Sequence, residues 1–574
     1  MKTKWCCWGL STALITIYLQ CGGVTSQNAT CILVDDNIDL PFSEHKICHI
    51  PGNTSGITVV VKNVTMATQF ATFQMHTRDK SLTGSLTRAP STGTTMSSRS
   101  VGLDWIPTYA QDTMKVYVSS ELKDGVPALF TALPYDAGIN NSLAPVPGGC
   151  NQVFMLEDDP TLHINYDPGY QITTVLFAAA NVGYPRGEFE PVCDVADSPR
   201  YRLEYDFYVR FLPLTDPSTS EVFTELKRMM TVEEIEKYGK KIKTFKHKDK
   251  PLITLMTYEG HGSIYNIIVK DPMSLHRKAA YVPVLSYACN MTPHHGYNNT
   301  DMHCQLSVTV DKGTILVYTF AALAGFVICY FGHRLFFLEL FFFGALPFGF
   351  GFHMVFVANT SLSHIAISVL TALFGTIGGC AFMGSYWFFG REMPTMLLIA
   401  LDTGLLFSTT LFFTPFGTLD VWHTTAAYGL TLMCGILIVP VVLILFPKWL
   451  FILSSAFWGS YMIIASFSYF LGGILQFIII NVVRRASVPG YEAAYLVTPF
   501  RVIDYTLVAM WPLLVLTGTL IQRKLVEGRP VMPPCPYKVR KNKRRPSSDE
   551  HDANTSPRRL EANENSSLLD NVIN

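Results

Sequence analysis

The stretch that decides the fold is GTILVYTFAALAGFVICYF, residues 313–331: nineteen residues without a charge. As a helix rising 1.5 Å per residue it can cross the ~30 Å hydrocarbon core of a bilayer. It does not stand alone. Over residues 313–483 only seven of 171 positions are Asp, Glu, Lys or Arg, whereas the other 403 residues carry the remaining 81. One part of the chain is therefore built for lipid and the rest for water. The averages over 574 residues (49% apolar, 15% charged, net charge zero) conceal this division. They exclude a disordered chain, and they give no electrostatic case for nucleic acid as a partner.

Working downstream, seven segments have a length suited to spanning: 313–331, 335–357, 365–389, 394–413, 426–446, 449–471 and 502–521. The sixth run stays uncharged to Val483, too long for one upright span, and Gly472-Gly473 is expected to break it. The ten residues beyond the break are too few to cross and are expected to be re-entrant or interfacial. With a lumenal N-terminus, seven crossings put the tail in the cytosol. Arg334, Arg391 and Lys448 then fall on cytosolic turns and Arg523, Lys524 and Arg529 follow the last span, as the positive-inside rule asks. Arg484, Arg485 and Arg501, on the last lumenal loop, run against it.

Within the spans, Gly375 and Gly379 make a small-xxx-small face, expected to pack a neighbouring helix of the same chain. Asp402 lies near mid-span, where an ionisable group is costly unless paired or protonated; His353 and His364 are its candidate partners. It reads as a packing residue first and an ion- or proton-linked one second. Glu339, one turn into its span, is expected to reach the interface.

Upstream, Lys2 and Lys4, an apolar core over residues 5–19 and Val24-Thr25-Ser26 read as a signal peptide over residues 1–26. Six cysteines then lie between Gln27 and Lys312: Cys31, Cys48, Cys150, Cys193, Cys289 and Cys304. An even number in a secreted segment implies three disulfides. Short loops close at least entropic cost, which favours Cys31–Cys48, Cys150–Cys193 and Cys289–Cys304. Six Asn-x-Ser/Thr sequons, at Asn28, Asn53, Asn63, Asn140, Asn290 and Asn298, occupy the same segment and point to a glycosylated lumenal or extracellular surface.

The segment 27–312 is β-patterned. Tyr201, Leu203, Tyr205, Phe207 and Val209 alternate with Arg202, Glu204, Asp206, Tyr208 and Arg210, which predicts a strand with one apolar and one largely polar face. Residues 57–61, 115–118, 172–177, 252–257 and 264–269 are further strands between turn residues. One helix is expected over 220–238 and a mobile loop over 83–99. His294, His295 and His303 beside Cys304 fit no common zinc spacing, and Asp158-Asp159 reads as a solvated turn rather than a calcium site. No nucleophile elbow, phosphate-binding glycine loop or intramembrane protease motif is found, so neither an enzyme nor a bound cofactor is expected.

Several stretches carry a family resemblance: Pro145-Val146-Pro147-Gly148-Gly149-Cys150-Asn151, Asn181-Val182-Gly183-Tyr184 with Arg186-Gly187, Ile264-Tyr265-Asn266 with Asp271-Pro272, and Tyr287-Ala288-Cys289. Phe331-Gly332-His333-Arg334, Phe412-Phe413-Thr414-Pro415 with Gly417, and Gly528-Arg529-Pro530 through Pro536-Tyr537-Lys538 continue it in order. Together they resemble the transmembrane 7 superfamily member 3 family, from about Pro145 to Lys538 and only faintly before that. The membrane part is also similar to the domain shared with transmembrane protein 198. The resemblance implies a seven-span cell-surface glycoprotein associated with cell survival and restraint of endoplasmic-reticulum stress. It supplies no ligand, catalytic residue or transport substrate.

The expected fold class is mixed: a disulfide-linked, glycosylated β-sandwich-type ectodomain over 27–312, a seven-helix transmembrane bundle over 313–522, and a disordered cytosolic tail over 523–574. The tail has eleven basic and seven acidic residues, six of the basic ones within 538–545, where anionic lipid can draw them. Glu564 precedes Leu568-Leu569 by four positions, the pattern of a clathrin-adaptor signal. The expected partners are the lipid bilayer, an unidentified ectodomain ligand or protein, and a clathrin adaptor. The leading function is receptor- or adaptor-like at the plasma membrane, with cycling through endosomes or lysosomes; the alternative is a transporter or channel using Asp402.

Overall fold

The computed structural model describes residues 30–543 except 32–36, 90–92, 109–112, 139–141, 168–170, 194, 196, 213–217, 247–251, 259, 275, 289, 294–301, 306–311, 361, 489, 529 and 531. The expected signal peptide, residues 1–26, and the tail beyond 543 lie outside this range. The chain divides into two compact units. Residues up to 326, 405–435 and 459–514 form the first; 327–404, 436–458 and those from 515 onward form the second.

The first unit opens with a β-sandwich. One five-stranded sheet runs, in spatial order, Thr30–Cys31, His45–Ile50, Val126–Asp136, Thr68–His76 and Ser100–Trp105. The other runs Asn37–Pro41, Thr54–Lys62, Met114–Ser120, Leu82–Ser85 and Thr95–Ser98. Alternate side chains turn inward, as a period of two requires. Ile57, Val59 and Val61 thereby meet Phe73, Phe130 and Ala132 in one buried core. The Cys31–Cys48 disulfide ties the short first strand to its parallel neighbour. The expected mobile loop over 83–99 is corrected here, because Leu82–Ser85 and Thr95–Ser98 pair as antiparallel strands. Their threonines suit a pleated, half-buried edge.

A second sandwich follows. Glu204–Phe211 lies between Lys240–Lys246 and Ser263–Asp271, and the latter also pairs with Arg277–Ala280 and Val284–Ser286. A three-stranded sheet runs His163–Asp167, Ile172–Leu176, Leu252–Met256. Tyr205, Phe207, Val209 and Ile267 share a core with Val175, Ile253 and Leu255. The Cys150–Cys193 disulfide secures the strand Val146–Cys150.

The expected polar face of Glu204–Phe211 is in part covered. Tyr208 is buried with Val222, Phe223, Leu226 and Ile235 from two short helices, α1 (Thr219–Lys227) and α2 (Val232–Tyr238), and with Met229 of the turn between them. Leu129 and Leu133 of the first sandwich join the same cluster, so this insert fastens the sandwiches together. The single helix expected over 220–238 is thus two. Ser218 and Glu221 form a capping box on α1, and the Thr231 side chain caps α2 by accepting from the Glu234 N–H.

Nine more helices follow: α3 (Lys312–Phe331), α4 (Phe336–Asn359), α5 (His364–Phe389), α6 (Glu392–Phe413), α7 (Thr425–Leu443), α8 (Pro447–Phe470), α9 (Phe477–Ser487), α10 (Val502–Leu525) and α11 (Pro536–Lys543) among the described residues. Six helical stretches there are long and apolar enough to cross a membrane, where the sequence reading has seven segments. The first, Gly313–Asn359, holds both α3 and α4 because the 3-10 turn Gly332–Leu335 keeps the path helical between them. The expected break after α8 is present: Gly472 takes a φ of 66° that favours glycine, and α9 restarts as an eleven-residue helix.

In the second unit, α4 and α5 form a hairpin. A Cβ on Gly379 would come within 2.7 Å of the Phe341 carbonyl oxygen, so the small-residue face packs within the chain, as its spacing predicts. Gln522 of α10 binds the Cys329 carbonyl at 2.8 Å, and its own oxygen accepts from His333 N and Ser455 Oγ, each at 3.1 Å. Glu339 is fully buried, its carboxylate 3.7 Å from His333 Nδ1. That corrects the expectation that it reaches an interface: the helix packing encloses it.

Candidate functional site

The strand Leu252–Met256 ends the three-stranded sheet of the second sandwich and offers an open edge. The segment between α9 and α10 pairs with it at Tyr495. Tyr495 N donates to the Thr254 carbonyl at 2.9 Å, and Met256 N donates to the Tyr495 carbonyl at 3.0 Å. This is β-augmentation within one chain, which satisfies an edge that would otherwise recruit another strand. Two residues on, Val497 is buried in the core of the second sandwich. Lys243 Nζ donates to the Tyr495 hydroxyl.

The helix before this loop is anchored as well. Tyr258 of the sandwich packs edge-on against Phe477 of α9, ring centroids 5.1 Å apart. Its hydroxyl accepts from Asn481 Nδ2 at 3.4 Å, and Asn481 Oδ1 accepts from Tyr491 at 3.4 Å. At the break, Asp504 of α10 is fully buried and accepts from Ile474 N at 2.8 Å and Arg501 N at 3.0 Å. Ser468 Oγ accepts from Leu475 N at 2.9 Å. These side chains satisfy backbone groups freed by the broken helix, the requirement for irregular chain at membrane depth.

Beside the loop lies a shallow recess with room for about two water molecules. Phe412, Phe413, Trp422, Tyr428, Ile478 and Arg485 line it, with His423, Asn481 and Tyr495. The turn after α6 builds one wall. Gly417 N donates to the Thr414 carbonyl, and a Cβ on Gly417 would strike the Phe412 carbonyl oxygen, so the Phe-Phe-Thr-Pro-x-Gly run is a tight turn with room only for glycine. Trp422 Nε1 donates to the Phe416 carbonyl at 2.6 Å, which fixes the indole. Arg485 lies over the Tyr428 ring at 4.0 Å and donates to the Trp422 carbonyl. His423 Nδ1 donates to the Glu492 carbonyl at 3.2 Å, and burial holds its imidazole below the usual value.

The structure separates the other residues singled out in the sequence. Asp402 is buried in the second unit, with Oδ2 lacking a hydrogen-bond partner among the described residues and its backbone carbonyl accepting from Trp458 Nε1 at 3.2 Å. His353 does not pair with it; its Nδ1 lies 3.3 Å from Thr371 Oγ1. The side chain of His364 lies outside the described residues. Two of the expected disulfides are present, and the third falls on Cys289, outside the described residues, and on Cys304, described only as backbone in Met302–Gln305. Asn53 and Asn63 are exposed, both at positive φ. Asn290 opens the strand Asn290–Pro293, while Asn28, Asn140 and Asn298 lie outside the described residues, as do His294, His295, Glu564, Leu568 and Leu569.

Asp158-Asp159 is not a solvated turn. Asp159 is buried, 2.7 Å from His163 Nε2, and burial pushes the Asp158 carboxyl up to about 7. Sequence reasoning missed Asp504, Tyr495 and Val497. The signal was there: Tyr495-Leu496-Val497 is a short strand-like run beside the arginines that broke the positive-inside rule.

Two linked β-sandwiches followed by long apolar helices define a polytopic membrane protein with an N-terminal domain pair. Residues 36–135 match the TM7SF3-like N-terminal immunoglobulin-like domain, residues 145–292 the TM7SF3-like second immunoglobulin-like domain, and residues 318–523 the TM7S3/TM198-like domain. The resemblance therefore extends well upstream of Pro145. Transmembrane 7 superfamily member 3 of Rattus norvegicus is 35% identical over 84% of this chain and 83% of its own length. The proteins of that name from Mus musculus and Homo sapiens are 34% and 32% identical, each over 88% of this chain and over 87% and 84% of their own lengths. The chain belongs to the transmembrane 7 superfamily member 3 family.

Proposed function

We propose that the protein is a receptor- or adaptor-like glycoprotein of the plasma membrane that supports cell survival and limits endoplasmic-reticulum stress, by family resemblance. In this reading the stretch Gly313–Asn359 crosses twice, since 47 helical residues extend ~70 Å, more than two hydrocarbon thicknesses. Seven crossings then leave the immunoglobulin-like pair outside and the tail in the cytosol. The clustered sequons and two disulfides support an exterior pair.

The observation that carries the receptor-like reading is the docking of residues 488–501 on the edge and core of the second sandwich. A ligand or partner that shifts this sandwich also shifts the chain entering α10, a direct mechanical link from a water-exposed domain to a membrane helix. The test is hydrogen exchange on the full-length protein with and without a partner recovered by proximity labelling. The reading predicts that partner binding to the sandwiches changes exchange in residues 488–504; binding that leaves this stretch unaltered refutes it. Topology has its own check: a tag after Asn574 is detected only in permeabilised cells, and glycosidase lowers the mass. If the tail signal is read by clathrin adaptors, Leu568→Ala with Leu569→Ala raises the surface fraction and slows antibody uptake.

The second reading, a transporter or channel, is favoured by one observation, the buried Oδ2 of Asp402, which has no hydrogen-bond partner among the described residues. It predicts proton or cation flux in proteoliposomes that Asp402→Asn abolishes at normal protein abundance.

A further inference from the structure

The Cys150–Cys193 disulfide joins two loops of the second sandwich that carry exposed apolar side chains. Val153 and Met155 stand on one loop, and Phe189, Val192 and Val195 on the other. Phe189 is 100% exposed and Met155 88%. Neither loop is slack. Asn151 Oδ1 accepts from Val153 N and Phe154 N, each at 3.0 Å. Asn181, fully buried, donates to the Glu190 carboxylate at 3.0 Å and to the Pro191 carbonyl at 2.9 Å. The turn before Phe189 closes with Glu188 N donating to the Pro185 carbonyl, and Gly187 takes a φ of 83° that favours glycine. Arg186 in that turn donates to the Thr65 and Thr108 carbonyls of the first sandwich, at 2.9 and 2.8 Å. Phe189 is thus held out in water by a fixed frame. An apolar group set rigidly in water suits a partner, because little order remains to be imposed on binding.

Charge selects that partner. Residues 151–199 contain eight Asp or Glu and one Lys or Arg, the engaged Arg186. Glu157, Glu188, Glu190 and Asp197 are exposed beside the apolar side chains in the chain, and Glu190 acts on Asp158 across the two loops. A bilayer surface attracts cations rather than acids, and a second copy would set acid against acid. A protein with a basic rim about an apolar centre complements both features. No Asn-x-Ser/Thr lies between Asn140 and Asn290, so neither loop carries an attachment point for a glycan.

We infer that the two loops joined by Cys150–Cys193 form a docking surface for a partner protein, through a segment in which Lys and Arg flank apolar side chains. Phe189 and Met155 are its anchors, and Glu157, Glu188 and Asp197 its rim. The inference rests on the receptor- or adaptor-like reading, and names the surface and the partner chemistry that this reading leaves open.

The experiment uses the full-length protein expressed in cells. The photo-cross-linker p-benzoylphenylalanine replaces Phe189 in one protein, Met155 in a second and, as control, the exposed Lys123 of the first sandwich in a third. After irradiation the joined peptides are identified by mass spectrometry. One heterologous protein is expected, joined to positions 189 and 155 but not to 123, through a segment of net positive charge. With the cross-linker at 155, Phe189→Ser is expected to lower the yield about tenfold, the loss of one anchor. Glu157→Lys, Glu188→Lys and Asp197→Lys combined are expected to lower it by about as much, through like charge facing like charge. Because Phe189 is fully exposed, Phe189→Ser should leave the melting temperature unchanged; a fall would make it a packing residue and overturn the inference. Unchanged yield in either variant overturns it as well. So do adducts with a second copy, with lipid or with an acidic segment, and a yield no greater than at position 123. A partner that cross-links elsewhere and still alters hydrogen exchange in residues 488–504 sinks this inference and leaves the receptor-like reading standing.

Discussion

The two sandwiches are built from similar strands but complete their cores differently. In the first, the buried apolar residues all come from residues 38–156, a continuous piece of chain. In the second, Val497 enters from a loop between two helices of the membrane region, and Tyr495 supplies the last rung on the sheet edge. The first sandwich therefore draws its own core from one piece of chain, although Leu129 and Leu133 also pack on the helical insert, and the second takes part of its core from the membrane part of the chain. A domain of the second kind cannot change shape without disturbing the helices on either side of that loop.

Disulfide removal gives the largest expected effect on this contrast. Cys31–Cys48 closes 17 residues and Cys150–Cys193 closes 43. Chain entropy assigns about 3 kcal/mol to the shorter loop and about 4 kcal/mol to the longer. The Cys150→Ser, Cys193→Ser protein should lose more stability, and its faster exchange should include residues 488–501. The Cys31→Ser, Cys48→Ser protein should show faster exchange only in the first sandwich. Equal responses at 488–501 would remove the distinction. Core truncation comes next. Val497→Ala should cost about 2 kcal/mol, close to Val116→Ala in the first sandwich, since each leaves a cavity beneath a buried side chain. Only Val497→Ala should loosen both the second sandwich and the loop, measured by exchange in 252–256 and 488–501.

Much of this was legible in the sequence, for identifiable reasons. Charge depletion marks the membrane helices because lipid excludes charge, and the alternation around Tyr205 marks a strand because one face must be apolar. Gly472-Gly473 announces a break that no other residue pair could make so easily. What was not legible is pairing across long separations. Nothing local in Tyr208 says that a helical insert covers it, and nothing in Tyr495 says which sheet edge it meets. Asp504 illustrates the point. As one acid in the first turn of α10 it reads as an interfacial charge, but it sits fully buried because two backbone N–H groups at the break have no other acceptor.

That role makes a prediction of intermediate size. Asp504→Asn keeps the shape but replaces one acceptor oxygen by an NH2 that faces a backbone donor, which should cost about 1–2 kcal/mol. If the break is braced from α10, Asp504→Asn increases exchange at Ile474 and Arg501 together while the first sandwich is untouched. Loss at only one of the two positions would show that the capping is not shared.

The smallest expected effect is a difference in how the sandwiches respond to acid. In the first, His76 is fully buried between Ser100 and Gln74, and burial lowers its imidazole to about 3. A group whose folded value is depressed contributes stability above its unfolded value of about 6.5, and that contribution is lost as pH falls toward 3. Asp158, where the chain enters the second sandwich, behaves oppositely. Burial, then Glu190 and Glu157, raise its carboxyl to about 7, so its contribution is complete below the unfolded value near 4 and is lost as pH rises toward 7. Acidification from pH 6.5 to 5.5 should therefore weaken the first sandwich by about 1 kcal/mol through His76 while Asp158 favours the second. His76→Gln should flatten the first response and Asp158→Asn the second, each read by exchange in its own strands across that pH range. If the two variants flatten the same strands, the sandwiches unfold as one body and the contrast between a self-contained and a completed core does not extend to their stability.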